Sequence, residues 1–224
     1  MPSMGIISRK SPIAFMVQKM LPIILNVKDK KILIFGGGEV SERRARKFLD
    51  AKAKVTIISK DFTPQLKKMN VNIIEKEVKK SEIPKLIKNY DIILACTSHE
   101  ELNNSIEEEA RKQGKLVNRA DKISDFIIPA SFEVEGVVIA VSTLGKSPAL
   151  AKLIKRRIAK LITKEDVKML KLQEYARELL KNKIPEQRKR KEILKSLLSD
   201  YDIANKDIEE AKKIIRRKIE CFRE

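Results

Sequence analysis

Tryptophan is absent from this chain of 224 residues, histidine occurs once, and aromatic residues make up only 4% of the sequence. The single histidine, His99, has no evident nucleophile beside it, so neither a Ser–His–Asp nor a Cys–His arrangement is indicated. With so few aromatic residues, no platform for stacking nucleic-acid bases is apparent. The composition therefore argues against hydrolases of these two classes, and we expect no nucleic-acid partner.

Cysteine is also scarce, since Cys96 and Cys221 are the only two. They are far apart and give neither a disulfide framework nor the spacing of a metal site. We therefore expect no resident metal, a reduced cytoplasmic setting, and Cys96 in the core.

Long apolar runs are missing as well. No run approaches the roughly 18–20 apolar residues that a membrane-spanning helix needs, so we expect no membrane partner. Residues 1–20 lack the long apolar segment of a signal peptide, and we treat them as a leader or loose arm.

Positive charge, in contrast, is in excess, with 49 Lys and Arg against 31 Asp and Glu and a net charge of +18. Such a surplus attracts anions: nucleic acid, an acidic membrane or a polycarboxylate ligand. The densest basic clusters, Arg156-Arg157 and Arg188–Lys191, lie in the C-terminal third. They are equally compatible with solvated helix faces.

The strongest pattern is an apolar strand at Lys31–Phe35, a glycine triplet, a helix at Glu39–Ala51 and a second strand at Lys54–Ser59. This order is half of a dinucleotide-binding sheet. Gly36 allows a sharp turn out of the strand, and Gly38 lets a pyrophosphate approach the backbone at the helix N-terminus. Nucleotide binding is predicted, with a glycine-rich turn that binds nothing as the alternative.

Strands continue to alternate with helices as far as Asp121, which predicts an α/β fold with a parallel, doubly wound sheet. The later strands are predicted at Val71–Glu75, Asp91–Cys96 and Lys115–Asn118. Ser81 is expected to cap a short helix between two of them.

The pattern changes after Asp121. Two β-rich runs, Phe126–Val134 and Val137–Thr143, flank Glu135-Gly136 and predict a β hairpin. Helices follow from Ser147, a predicted N-cap with proline after it. The predicted divisions are a leader, a Rossmann-type domain, a β hairpin segment and an all-helical domain, at residues 1–20, 21–121, 122–146 and 147–224.

Candidate site residues stand where predicted strands end. After the second strand, Asp61 would bond the ribose hydroxyls of NAD, whereas Lys60 would accept the 2′-phosphate of NADP. Thr97 and Ser98 follow the fourth strand, where the ligand crevice is expected. Asp121 follows the fifth strand and is a candidate base or metal ligand, with a turn residue as the alternative reading. Asp125 is a weaker rival for that role.

Four segments in order resemble the precorrin-2 dehydrogenase family of sirohaem synthesis. They are KILIFGGGEVSERRARKFLD, ILACTSHEELN, VNRADKISDFIIPASF and VIAVSTLGKSPALAKLI. The glycine turn is generic, but FIIPAS and VSxxGxSPxLA are specific. The resemblance covers about residues 21–162, and the helical tail beyond matches only in character.

The resemblance implies an NAD-dependent enzyme that converts precorrin-2 into sirohydrochlorin, and some members also insert Fe²⁺. It also implies a homodimer with the hairpin in its interface and a catalytic role for Asp121. The residues that it places at the cofactor are Glu39, Val40, Lys60 and Asp61, and the strand and glycine pattern adds Gly36, Gly38, Ser59, Thr97 and Ser98 to the predicted cofactor site. Those that it places at the substrate are Ser142, Thr143, Gly145 and Ser147. Many relatives have two glycines where this chain has Leu144-Gly145.

The chemistry agrees with this resemblance on independent grounds. A basic protein attracts a polycarboxylate such as precorrin-2, and loss of a hydride must be paired with loss of a proton to a base such as Asp121. The alternative is a regulatory module that binds a nucleotide without catalysis. Such a module needs the glycine turn but neither Asp121 nor the later segments.

Overall fold

The computed structural model describes residues 20–221, which divide between Lys115 and Leu116 into two compact units. The predicted leader, apart from Met20, lies outside the described residues, as does Phe222, which we expected on the last helix. No helix among the described residues is long and apolar enough to cross a membrane.

The first unit alternates strands with helices, as predicted. Its elements are β1 (Lys31–Phe35), α1 (Glu39–Asp50), β2 (Lys54–Ser59), α2 (Pro64–Lys67), β3 (Asn72–Glu75), a 3₁₀ turn (Lys80–Glu82), α3 (Ile83–Ile87), β4 (Ile92–Ala95) and α4 (Glu100–Lys112). The first two strands begin and end at the predicted residues. The glycine triplet that follows β1 stands directly before α1.

The second unit begins with a strand and ends in helices. Its elements are β5 (Leu116–Arg119), β6 (Ala130–Val134), β7 (Val137–Val141), α5 (Pro148–Ala159), α6 (Lys164–Lys183), α7 (Gln187–Leu198), α8 (Tyr201–Ala204) and α9 (Ile208–Cys221). The antiparallel hairpin β6–β7 turns at Glu135 and Gly136, whose φ angles are 44° and 94°. Both are positive, as a two-residue hairpin turn requires.

A five-stranded sheet has the order β3-β2-β1-β4-β5, which confirms the predicted α/β class. The pairs β1–β2, β1–β4 and β2–β3 are parallel. In the register, Phe35 stands between Ile58 of β2 and Ala95 of β4. Since parallel strands end at the same edge, the segments after β1, β2 and β4 meet there. All four residues of β4 are buried, as expected for a strand covered on both faces.

Helix α1 packs on the sheet through Ser41, Ala45 and Phe48. Ser41 has a small side chain and is fully buried. Its hydroxyl oxygen has no hydrogen-bond partner. The close approach of α1 to the sheet is therefore achieved with one unsatisfied polar atom.

The C-terminal helices α6 to α9 enclose a core of their own. Leu172, Leu180, Ile203 and Ile215 are among its buried members. Helix α6 begins at a capping box, in which Thr163 and Asp166 each accept a backbone N–H from the other residue. The predicted cap at Ser147 is confirmed.

Two local predictions were wrong. Ser81 does not cap a helix, because it lies inside the 3₁₀ turn whose N-cap is Lys79. The first hairpin strand begins at Ala130 rather than Phe126, because the preceding residues are bonded to β5. Asp125 N–H donates to the Val117 carbonyl at 3.2 Å, and the Asn118 amide donates to the Phe126 carbonyl at 2.6 Å.

Candidate functional site

The three glycines after β1 differ in the space that surrounds them. Gly36 has φ +107°, and a Cβ added there would lie 2.5 Å from the Cys96 carbonyl oxygen. At Gly37 a Cβ would lie 1.9 Å from the Asp61 carbonyl oxygen. At Gly38, in contrast, a Cβ would meet nothing within 4 Å. Two glycines are therefore required for packing, while the third leaves open space beside the backbone.

The N-terminus of α1 is not closed by any side chain, since its N-cap is Gly38. An uncapped helix start presents free N–H groups and the positive end of the helix dipole to an anion. The Glu42 carboxylate, in the first turn, accepts hydrogen bonds at 3.1 Å from both Arg46 and the Thr63 hydroxyl. The uncapped start of the helix at Gly38 fits the pyrophosphate of a dinucleotide.

A cavity of about 1160 Å³ opens at the ends of β1, β2 and β4. Seven of the nine predicted cofactor residues line it, namely Gly36, Gly38, Ser59, Lys60, Asp61, Thr97 and Ser98. The other two, Glu39 and Val40, stand in the first turn of α1 and are not among its lining residues.

The turn after β4 is fixed by Asn103 of α4, which is 1% exposed. Its side-chain oxygen accepts the Thr97 hydroxyl at 2.7 Å, and its amide donates to the Thr97 carbonyl at 3.0 Å. The Thr97 hydroxyl also accepts the His99 N–H. Sequence analysis missed Asn103, because no local pattern marks a side chain that holds a loop six residues away.

Cys96 differs from its prediction as a core residue. It is half-buried and lines the cavity, and its sulfur accepts a hydrogen bond from the Arg44 guanidinium at 3.0 Å. Residues 76–78, which follow β3, also line the cavity and were missed. The rule that ligand sites gather at the carboxyl ends of strands would have found them.

The lysines at the β3 end of the cavity are engaged with glutamates. Lys76 bonds Glu82 at 2.5 Å and Lys80 bonds Glu101 at 3.1 Å. The hydrogen bond from Lys76, with a second from the Lys79 N–H, holds the pKa of Glu82 below its ordinary value. Lys60 and Asp61, by contrast, are both exposed at the cavity.

In the second unit, Asp121 is held by Arg119 of β5. Arg119 Nε donates to Oδ1 at 2.9 Å and Nη2 to Oδ2 at 2.5 Å. The rival carboxylate, Asp125, instead accepts the Val117 N–H of β5 at 3.0 Å. Asp125 therefore has a role in fixing the chain after β5, whereas the Asp121 side chain is 36% exposed.

The turn between β7 and α5 is closed by its own hydroxyl groups. Thr143 Oγ1 donates to the Ser147 carbonyl at 2.9 Å and accepts the Ser147 N–H at 3.0 Å. Ser142 Oγ accepts the Leu144 N–H, and Ser147 Oγ accepts the Leu150 N–H. Thr143 is thus used in both directions, while Ser142 and Ser147 serve as acceptors and keep an O–H to donate.

The parallel sheet, the glycine turn, the uncapped helix and the cavity at the strand ends define a dinucleotide-binding protein of the Rossmann type. A family model described as "Putative NAD(P)-binding" matches residues 23–130. A second model, "Sirohaem biosynthesis protein central", matches residues 139–161.

Two curated relatives match over most of the chain. A protein of Methanocaldococcus jannaschii named "Putative precorrin-2 dehydrogenase" is 36% identical over 208 residues, which are 88% of this chain and 97% of the relative. The "Precorrin-2 dehydrogenase" of Methanosarcina barkeri is 35% identical over 192 residues, which are 83% of this chain and 85% of the relative. The chain belongs to the precorrin-2 dehydrogenase family.

Comparison with solved structures supports the same fold. The solved structure described as "SirC, precorrin-2 dehydrogenase" superposes with a TM-score of 0.69 at 22% identity, covering 90% of this chain and all of that one. The predicted family, fold class and nicotinamide cofactor are therefore confirmed.

Proposed function

We propose that this protein is an NAD-dependent dehydrogenase that oxidises precorrin-2 to sirohydrochlorin. The observation that carries the proposal is the glycine-lined cavity at the uncapped start of α1, in a chain similar to precorrin-2 dehydrogenases over most of its length. Bound NAD⁺ would supply the hydride acceptor, and the protein supplies binding and orientation.

The residues proposed to hold the cofactor keep their predicted roles. The backbone at Gly36 and Gly38, with the N–H groups of Glu39 and Val40, faces the pyrophosphate. Exposed Asp61 bonds the ribose hydroxyls, which favours NAD over NADP. Ser59, Lys60, Thr97 and Ser98 complete the lining of the cavity.

Asp121 is proposed to accept the proton whose loss accompanies hydride transfer. The O–H groups of Ser142 and Ser147 are suited to donate to substrate carboxylates, with Gly145 leaving room beside them. Thr143 supports the turn rather than the substrate, since its hydroxyl is already satisfied.

We further propose a cytoplasmic homodimer that pairs through the predicted hairpin segment, residues 122–146. The support is the hairpin face with Val138, which is 43% exposed, and its exposed neighbour Ala140. Cys96 and Cys221 form no disulfide within residues 20–221, which suits a reducing compartment. Light scattering on the purified protein tests the dimer, and Val138→Glu is expected to yield monomers.

The deciding experiment is anaerobic incubation with precorrin-2 and NAD⁺, following NADH and the tetrapyrrole spectrum together. Stoichiometric NADH and sirohydrochlorin are expected, and Asp121→Asn is expected to bind NAD⁺ normally but to keep only a small residual turnover. Adding Fe²⁺ as a second substrate then tests chelation. NAD⁺ binding without either product would instead identify a regulatory module.

A further inference from the structure

Arg119 is the largest fully buried side chain among residues 20–221. It lies on β5, two residues after Val117, and its side chain is 0% exposed. A buried position of this kind on a strand normally holds an apolar residue. Withdrawing a guanidinium from water is unfavourable unless its donors are well paired. A buried arginine here therefore calls for a specific partner.

One such partner is the Asp121 carboxylate, bound by two parallel hydrogen bonds of 2.9 and 2.5 Å. Two such bonds fix the plane of a carboxylate as well as its position. The burial is strongly unequal, because Arg119 is enclosed while Asp121 is 36% exposed. The guanidinium is thus anchored inside the protein, and the carboxylate is presented toward solvent.

We propose that Arg119 is a positioning residue for Asp121, an inference that rests on the proposed function. It fixes the carboxylate in one orientation and stabilises its ionised form, the form that accepts a proton. A group held by a rigid strand delivers its lone pair more accurately than one on a free loop.

The test compares Arg119→Met, Arg119→Lys and Asp121→Asn in the full chain. Arg119→Met is expected to lower kcat by about 10–100-fold, the usual effect of losing a supporting contact. KM for precorrin-2 and Kd for NAD⁺ stay within about twofold, because uniform binding is untouched. Arg119→Lys retains the charge without the paired geometry and is expected to recover part of kcat.

A double-mutant cycle separates positioning from folding. If Arg119 acts through Asp121, adding Arg119→Met to Asp121→Asn lowers the residual rate no further. Lys218→Met is the matched control, since it breaks a partly buried ion pair with Asp200 in the same unit and is expected to leave kcat unchanged. The proposal would be overturned if Arg119→Met lowered kcat by the same factor in wild-type protein and in Asp121→Asn. It would also be overturned if the kcat of Arg119→Met equalled that of wild type.

A readout that needs no turnover keeps this test distinct from that of the proposed function. The ¹³C signal of the Asp121 carboxyl, assigned by its loss in Asp121→Asn, is expected to shift and broaden in Arg119→Met. If wild-type protein does not oxidise precorrin-2, the proposed function fails while this signal still reports on the pair. An unchanged signal contradicts the positioning role.

Discussion

Leu144, in the turn before α5, has φ 51°, in the left-handed region that side chains rarely adopt. This conformation costs a leucine roughly 1–2 kcal/mol, and a β-branched side chain suffers more. We expect Leu144→Ile to lower the free energy of unfolding by about 1–2 kcal/mol, although the side chain keeps its volume. Leu144→Gly is expected to be close to neutral, because relief of strain offsets lost burial and added chain entropy. Urea denaturation measures both, and equal stability of the two variants would contradict this account.

Ser41 is a second residue that lowers the stability of the fold through its own surroundings. Its hydroxyl is fully buried beneath α1 without a hydrogen-bond partner. Ser41→Ala keeps the helix close to the sheet and removes the unsatisfied oxygen, so we expect a gain of about 1 kcal/mol in the free energy of unfolding. Thermal and urea denaturation check the gain, with half-buried Ser105→Ala, whose hydroxyl donates to the Glu101 carbonyl, as the control. A loss of stability would show that the Ser41 hydroxyl is satisfied in solution.

At the scale of elements, Asp200 ties α8 to α9. Its carboxylate accepts the N–H groups of Asp202 and Ile203 at 3.1 and 3.3 Å and pairs with Lys218 of α9. Burial raises the pKa of Asp200, but the Lys218 hydrogen bond and the two N–H groups outweigh it, so the net pKa lies below its ordinary value. The folded state therefore favours the ionised carboxylate.

The sign of the pH dependence follows from that lowered pKa. The stabilisation from Asp200 is complete above the unfolded pKa of about 3.9 and is lost as the pH falls through the folded value. Asp200→Asn keeps a cap oxygen but loses the charge that pairs with Lys218, so it is expected to cost about 1 kcal/mol at pH 7, and the deficit narrows below about pH 4. Urea denaturation at both pH values measures it. The exposed Asp202→Asn serves as control, and a deficit independent of pH would contradict the argument.

Elements set by neighbouring residues were predictable from sequence. The bounds of β1 and β2 and the caps at Ser147 and Thr163 follow from local patterns of apolar residues, glycine, proline and hydroxyl side chains. The start of β6 was not, since it depends on bonds between β5 and residues 125–126. Likewise, nothing in the sequence indicated that Arg119 would be buried against Asp121, because burial depends on which elements cover a strand.

At the scale of the whole molecule, the sequence predicted the order of strands and helices and the glycine-lined site. It did so because a βα alternation with a glycine turn has few alternative topologies. What the sequence left open was how the hydroxyls of the turn at residues 142–147 are used. The structure assigns Thr143 to closing the turn and leaves donors at Ser142 and Ser147.

The net charge of +18 makes the final prediction one about the entire protein. A polycarboxylate substrate is drawn to a basic surface, and salt screens that attraction over a Debye length of about 10 Å at 0.1 M. We expect KM for precorrin-2 to rise several-fold, roughly 3–10-fold, between 50 and 500 mM NaCl, whereas kcat changes little because the bound complex is less screened.

Charge-reversal variants identify which basic residues attract the substrate. Arg156 and Arg157 are exposed on α5, the helix that begins at the proposed substrate turn, whereas Arg188 is exposed on α7. Arg156→Glu with Arg157→Glu is expected to raise KM at low salt and to flatten its salt dependence. Arg188→Glu with Lys189→Glu makes the same change in net charge. This pair is expected to have a smaller effect on KM and on its salt dependence, because screening weakens distant charges. Equal effects of the two pairs would mean that net charge alone attracts the substrate, and a KM independent of salt would mean that charge attraction plays no part.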